Sequence, residues 1–572
     1  MKGYVGTNFG HGAAAALVGS NGRLLFAVEE GKLSGDKETA AFPNLALTLV
    51  VAHPGIDSYQ WAEGWDTRKR LVSKGVLRAL RYSLFDATYV KSSLVKESIR
   101  YWEWRKQSGA WSSTLGHPIS VGHHLAHAWS LVPAGLPAKA CLLVSDTTAE
   151  SASISSYYFD GEGMKFVASS TFPHSIGAAF HQLAYHVGFY GRTAPGKLMA
   201  LSAFGKPKFY DEFAQIGTIS DGQLQINLDR LPAWRRNGSW ARFGKSCSVE
   251  LRNSIEEAFE HPELGTDLAA SAQAWFTETT WSLVTHTLGM LESRIGAPVQ
   301  HLGLVGGAAL NCQANGCFME RMNRIGLRSL TVAPWSDDAG TAIGAAVGAY
   351  VLGGNSLANL QVSDAYLGPY PHTDYSMRAT NQDVAEAANE LARGGIVALV
   401  SGRLEFGPRA LGGRCLLADP RDDRLRKKLN QLKKRPDFMP AAPAVLSRYF
   451  DQYFDGTGSS HMAWTVQAKA HASLEIPAAV HHNGTARVQV VDDHKAPLLA
   501  RLLHRFLAIT GCPILLLTSL NEAGEPVPAT LGDALLICGR LGVNGALSDK
   551  GWQSFSLPAE LPNPSHGVAQ SC

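Results

Sequence analysis

Residues 401–421 read S-G-R-L-E-F-G-P-R-A-L-G-G-R-C-L-L-A-D-P-R. Four arginines, Arg403, Arg409, Arg414 and Arg421, fall within nineteen residues among glycines and apolar side chains. A merely solvated surface has no need of so many glycines. Arginines held on tight turns suit bidentate recognition of phosphate. Surface salt bridges are the competing reading. Further along, N-Q-L-K-K-R at 430–435 contributes Lys433 and Arg435, and L-T-S-L-N-E-A-G-E-P at 517–526 contributes Ser519 and Asn521. Together these residues predict a polyanion pocket in the second half of the chain.

Working outward, residues 352–375 carry Gly, Pro and Asn with little periodicity and mark the best domain boundary. Beyond it, D-V-A-E-A-A-N-E-L-A-R-G-G predicts a helix and I-V-A-L-V a strand, opening a unit over 376–557. The last fifteen residues read as a frayed tail. Upstream, a first unit over 1–355 opens with G-Y-V-G-T-N-F-G-H-G-A-A-A-A-L-V, a strand, a glycine turn and a strand, continued by L-L-F-A-V-E-E. A similar hairpin recurs at A-C-L-L-V-S-D-T-T-A-E and S-I-S-S-Y-Y-F, which predicts a duplicated α/β architecture. Residues 264–295 read as long helices and H-L-G-L-V as a buried strand. T-A-I-G-A-A-V-G-A-Y reads as a small-residue helix able to pack closely on a sheet. Residues 60–115, rich in Arg, Lys, Trp and Tyr, read as basic amphipathic helices.

V-G-H-H-L-A-H-A-W at 121–129 puts His123 and His127 on one helical face, four residues apart. Asp146 ends the apolar strand L-L-V-S-D, and Asp337 and Asp338 end A-P-W-S-D-D. Two imidazoles with carboxylates form a mixed N/O donor set that suits Fe(II), Mn(II) or Zn(II) better than Ca(II) or Mg(II). Taken singly, each aspartate is equally a cap or a turn former. In G-L-V-G-G-A-A-L-N, Gly306 and Gly307 let backbone approach a ligand that Asn311 can hydrogen-bond. In T-A-P-G-K-L-M-A-L-S, Lys197 stands at a glycine turn before a helix, where an anion meets both an ammonium and a helix N-terminus. Neither is a Walker A loop or a dinucleotide fingerprint.

The 572 residues carry 45% hydrophobic and 18% charged side chains and a net charge of +3. That is ordinary globular composition, and it is too balanced for a protein that grips a nucleic-acid backbone. The eight cysteines form no C-x-x-C pair, so they read as buried free thiols in a reducing compartment. No apolar run reaches the ~18 residues of a membrane span. With no basic, apolar leader in M-K-G-Y-V-G-T-N-F-G, a cytoplasmic, soluble protein is expected.

The chain resembles the NodU/CmcH-type O-carbamoyltransferases over nearly its whole length. The resemblance rests on H-H-L-A-H-A, P-G-K-L-M-A-L-S-A-F-G, G-G-A-A-L-N, D-D-A-G-T-A-I-G-A-A, G-R-L-E-F-G-P-R-A-L-G-G-R and T-S-L-N-E-A-G-E-P, in that order. It implies an ASKHA-type, duplicated actin-like N-terminal domain and a YrdC-like α/β C-terminal domain. The latter would make carbamoyladenylate from carbamoyl phosphate and ATP, with Arg409, Arg414, Lys433 and Arg435 serving adenylation and Mg accompanying ATP. Lys433 with Arg435 match its K-x-R signature, and Ser519 with Asn521 its S-x-N. The former would pass the carbamoyl group to a hydroxylated small molecule, releasing AMP. His123, His127, Asp146 and Asp338 match the metal ligands, which hold iron(II) in the type case. His11 matches the histidine that activates the acceptor hydroxyl. Acceptors in the family include aminoglycosides, macrolides, cephems, ansamycins and lipochitooligosaccharides. No nucleic acid or membrane is expected as a partner, and a homodimer stays open.

The chain also departs from that pattern. Gly12 follows the histidine in place of Asp, Pro436, Met439 and Ala441 replace Glu, Arg and Phe, and Leu517 replaces Asn. An ASKHA-type small-molecule kinase, which would release ADP instead of AMP, leaves H-H-L-A-H-A and the arginine-rich unit without a role. A non-catalytic nucleotide-binding protein has only Met439 and Leu517 in its favour. A hydrogenase-maturation carbamoyl transferase would need zinc-finger cysteine pairs that are not visible here.

Overall fold

The computed structural model describes residues 1–37, 39–65, 102–147, 149–150, 152–228, 230, 247–373 and 378–555. Two five-stranded sheets in the first 350 residues share one plan. The first runs Leu24–Glu29, Ala14–Gly19, Lys2–Asn8, Ser58–Glu63, Ile119–Ser120. The second runs Met164–Ser170, Ile154–Phe159, Ala140–Ser145, His301–Val305, Ser329–Val332. In both, the first three strands are antiparallel neighbours and the last two pairings are parallel. This repeat is the duplicated α/β architecture that the two hairpins predict. Ala14–Gly19 and Ala140–Ser145 are buried at every position, as strands covered on both faces must be.

The small-residue helix Gly340–Leu352 packs against both Lys2–Asn8 and the helix His123–Ser130. A Cβ on Gly344 would stand 1.7 Å from the Ala126 carbonyl oxygen, and one on Gly6 2.0 Å from that of Ala342. Only glycine permits an approach this close, so these two positions set how deeply the helix seats. The long helix expected over 264–295 is Thr266–Ile295.

The second half forms a seven-stranded mixed sheet, ordered Gln489–Val491, Ala442–Leu446, Ile514–Ser519, Arg414–Ala418, Val397–Val400, Gly545–Ser548, Gly551–Ser554. Helices Asn381–Ala392 and Pro497–Thr510 pack together beside it around a separate apolar core. The halves are knit by polar contacts. Lys32 Nζ donates to the carbonyls of Glu405 at 2.7 Å and Gly407 at 2.9 Å. The Gly407 N–H donates to Glu29 Oε1 at 2.9 Å.

One expectation needs correcting. Residues 58–63, at the start of the stretch read as basic helices, form a strand paired in parallel with Lys2–Asn8. Pairing with strands on both sides and the buried Trp61 outweigh the basic composition that follows. A helix does run over 102–115, while 66–101 and the C-terminal tail lie outside the described residues. All seven cysteines among the described residues are free thiols. Among those residues, no helix is long and apolar enough to cross a membrane.

Candidate active site

The helix His123–Ser130 carries both histidines on its buried face. Asp146 follows the strand Ala140–Ser145, and Asp338 lies two residues before the helix Gly340–Leu352. One ligand atom from each of the four falls within 4.8 Å of the others. His123 Nε2 is 3.3 Å from Asp146 Oδ2 and 3.7 Å from Asp338 Oδ1, and His127 Nε2 is 3.6 and 3.9 Å from the same oxygens. Both imidazoles are fully buried, yet His127 Nδ1 and Nε2 and His123 Nδ1 have no hydrogen-bond partner. Of these, His127 Nε2 faces the two carboxylates, and burying it unsatisfied is costly, so the geometry asks for a further species at the centre.

The electrostatics point the same way. Burial works against charge on His123, but hydrogen bonds and charge from Asp146 and Asp338 carry its pKa up to about 9. Burial pushes His127 down, with Asp146 opposing. Burial also works against ionisation of Asp146, yet the two imidazoles hold it well below the usual carboxylate range. A divalent cation would take over the role that a proton plays here. The His₂Asp₂ donor set fits one. His124 is outside this set. Its Nδ1 lies 2.7 Å from Ser155 Oγ, and burial, then His123 and His127, push it down to about 3.

Trp65 stacks on His123, and its indole N–H donates to Asn8 Oδ1. The Asn8 amide in turn donates to the carbonyls of His11 and Gly12, both at 2.8 Å. Gly12 has φ +64°, and a Cβ there would lie 2.8 Å from the Ala339 nitrogen. The His11 turn is therefore pressed against the residue that follows Asp338. The His11 Nδ1 accepts from Arg192 Nη2. Gly306 is fitted to Ser145, whose carbonyl oxygen a Cβ would approach to 2.3 Å, and Gly307 lies against Asp146.

Two expected nucleotide contacts look different in three dimensions. Asn311 caps the helix Cys312–Arg321 through the Ala314 N–H and exchanges amide hydrogen bonds with Gln273 at 2.9 and 3.0 Å. Its side chain is engaged inward. Lys197 stands inside the helix Ala194–Leu201, not before it, with Nζ 5.9 Å from the Phe189 ring centroid. Pro195 starts that helix earlier than the glycine suggested.

In the second half, the four clustered arginines separate. Arg414 is fully buried and spends its guanidinium on main-chain carbonyls, including Ser401 at 3.0 Å, Gly413 at 2.8 Å and Pro528 at 3.2 Å. Arg403 donates to the carbonyls of Gly368 and Leu25, and Arg421 grips Asp419. These three brace the fold. Arg409 alone of the four lines a cavity of about 100 Å³, with Ser519 and Asn521. The opposite wall comes from the first half: Gly12, Ala13, Glu29, Lys32 and Lys37.

Lys433 Nζ donates to Ser519 O at 2.5 Å and to Asn521 O and Oδ1 at 2.7 Å. Burial, then Arg435 and Lys37, push it down to about 7. Burial and Arg487 push Arg409 and Arg435 each down to about 10. Arg487 Nε is buried without a hydrogen-bond partner. Bound negative charge would offset the mutual repulsion of these cations. Sequence reading missed Arg487 and Lys37, because each is a single cation in its local stretch, N-G-T-A-R-V-Q and G-D-K-E-T. Only the fold adds them to the cluster.

Residues 4–347 match the family described as carbamoyltransferase N-terminus, and residues 388–550 the carbamoyltransferase C-terminus. The chain belongs to the carbamoyltransferase family and is a carbamoyltransferase enzyme. It is 32% identical to nodulation protein NolO of Bradyrhizobium diazoefficiens, over 66% of this chain and 68% of that one. It is 28% identical to nodulation protein NolNO of Sinorhizobium fredii, over 92% of this chain and 76% of that one. Among solved structures, HypF of T. kodakarensis matches at a TM-score of 0.29 and 14% identity, covering 62% of this chain and 48% of that one.

Proposed function

We propose that this carbamoyltransferase is an ATP-dependent O-carbamoyltransferase with two reaction centres, divided near residues 355–376. The YrdC-like second half would form carbamoyladenylate, and the first half would transfer the carbamoyl group to a hydroxyl of a small, secondary-metabolite-type acceptor. The single observation that supports this best is the shared cavity. Gly12 and Ala13, beside His11, face Arg409, Ser519 and Asn521 across it. A mixed anhydride passing between the two centres would stay out of bulk water.

In the adenylation step, water first cleaves carbamoyl phosphate to carbamate and inorganic phosphate. A carbamate oxygen then bonds to the α-phosphorus of ATP, and pyrophosphate leaves with the electron pair of the broken P–O bond. Arg409, Arg435 and Arg487 would hold the phosphates, and Lys433, fixed by Ser519 and Asn521, would set its ammonium against the developing charge. In the transfer step, His11 takes the proton of the acceptor hydroxyl, whose oxygen bonds to the carbamoyl carbon as AMP departs. His123, His127, Asp146 and Asp338 would hold a divalent ion, for which Fe(II), Mn(II) or Zn(II) suits the donor set. When bound, such an ion supplies Lewis-acid stabilisation of charge at the carbonyl and phosphate.

The test is incubation with ATP, carbamoyl phosphate and a panel of hydroxylated metabolites, read by mass spectrometry. A carbamoylated acceptor with AMP is expected. ADP with a phosphorylated acceptor would favour a kinase instead.

A further inference from the structure

The reading of His11 as the base meets an obstacle in the structure. Arg192 Nη2 donates to His11 Nδ1. A guanidinium has no acceptor and does not lose its proton, so the Nδ1 lone pair is engaged and the ring proton sits on Nε2. In that state neither ring nitrogen can take a proton from an alcohol.

Arg192 is placed to be drawn away. It is exposed, two residues before the helix Ala194–Leu201. Thr193 makes no side-chain cap, Pro195 has no N–H, and the Ala194 and Lys197 N–H groups are taken by the carbonyls of Gly191 and Thr193, so an anion here would be met by the guanidinium and not by the helix N-terminus. Lys197 rides on the same helix. One short segment, G-R-T-A-P-G-K, therefore brings a guanidinium to the edge of the His11 turn.

We propose that Arg192 is a positioning residue for the transfer step: it occupies His11 Nδ1 in the free enzyme and releases it when the phosphate of carbamoyladenylate draws the guanidinium to itself. This rests on the reading of His11 as the base given above. Once released, Nδ1 accepts the acceptor's hydroxyl proton. The acceptor oxygen bonds to the carbamoyl carbon, and the bond from that carbon to the phosphate oxygen breaks, its electron pair leaving on AMP. The base is thus armed only when the donor is present. The residue after His11 is Gly12, which has no side chain to orient the ring, so that falls to a cation from another segment.

The experiment is ¹⁵N spectroscopy of histidine-labelled full-length protein, with the His11 signal identified by its loss in His11→Asn. In the free enzyme Nδ1 should resonate as an unprotonated, hydrogen-bonded nitrogen. Saturating AMP should shift it, adenosine should not, and Arg192→Ala should show the shifted position without any ligand while melting like the wild type. Identical His11 signals with AMP and adenosine, or in wild type and Arg192→Ala, would overturn the proposal. Transfer kinetics separate it from its foundation. Arg192→Gln keeps a neutral donor on Nδ1 that phosphate cannot attract, so its transfer kcat should fall at least about tenfold below that of Arg192→Ala. The reverse order would also overturn the proposal. Unimpaired transfer by His11→Asn would instead remove the base itself.

Discussion

Trp65 lies over the imidazole of His123, with ring centroids 3.7 Å apart and planes 31° from parallel. Its indole N–H reaches Asn8 Oδ1 at 2.7 Å. The same Asn8 amide holds the backbone of His11 and Gly12. One tryptophan thus ties the donor helix of the candidate metal site to the turn that carries the candidate base.

Trp65→Phe keeps the stacked ring and removes the N–H. Metal content should be unchanged, while the transfer rate falls roughly tenfold, the worth of one lost orienting hydrogen bond. Metal analysis of the purified variant alongside single-turnover transfer checks both halves of this expectation.

The four-residue cluster should bind about one divalent ion per chain, read by elemental analysis. His127→Ala should lose it along with transfer activity, because two imidazoles and two carboxylates become three donors. Full transfer by His127→Ala after exhaustive chelation would remove the site from the mechanism.

Arg409 and Arg414 should part company. Arg409→Ala should abolish pyrophosphate release with little change in melting temperature. Arg414→Ala leaves several buried carbonyls without a donor and should cost about 3 kcal/mol or more of stability. Thermal melts and a pyrophosphate assay on both proteins distinguish a ligand-facing arginine from a structural one.

Much of this was legible in the sequence, and what was not has a physical reason. The two hairpins, the H-x-x-x-H spacing and the aspartates at strand ends are local patterns, and local periodicity survives folding. The fate of the arginines is not local. Arg414 is satisfied partly by Pro528, 114 residues away, and Arg403 by Leu25, 378 residues away. A run of charge therefore could not reveal that only Arg409 faces the cavity. Arg487 has no charged neighbours in its own stretch, and its role emerges only when the seven-stranded sheet brings it beside Arg409 and Arg435. Trp65 sits in a stretch whose basic composition masked a strand end.

Lys433 should report ligand binding through protons. Its pKa is depressed to about 7, so near that pH a sizeable fraction of the folded protein carries a neutral amine. A bound polyanion favours the ammonium and raises the pKa, so binding of ATP near pH 7 should take up as much as about half a proton. In the free protein the same depression costs stability in full below about pH 7, and that cost fades as pH rises from there to the ordinary lysine value. Calorimetry in buffers of different ionisation enthalpy should show the uptake, and Lys433→Met should abolish it.

The division of labour between two centres is tested most directly by exchange of labelled pyrophosphate into ATP. The exchange should depend on carbamoyl phosphate, vanish in Arg409→Ala and persist in His127→Ala, which retains the second-half pocket but not the metal cluster. Exchange without carbamoyl phosphate, or its equal loss in both variants while each remains folded, would contradict a carbamoyladenylate made in one half and consumed in the other.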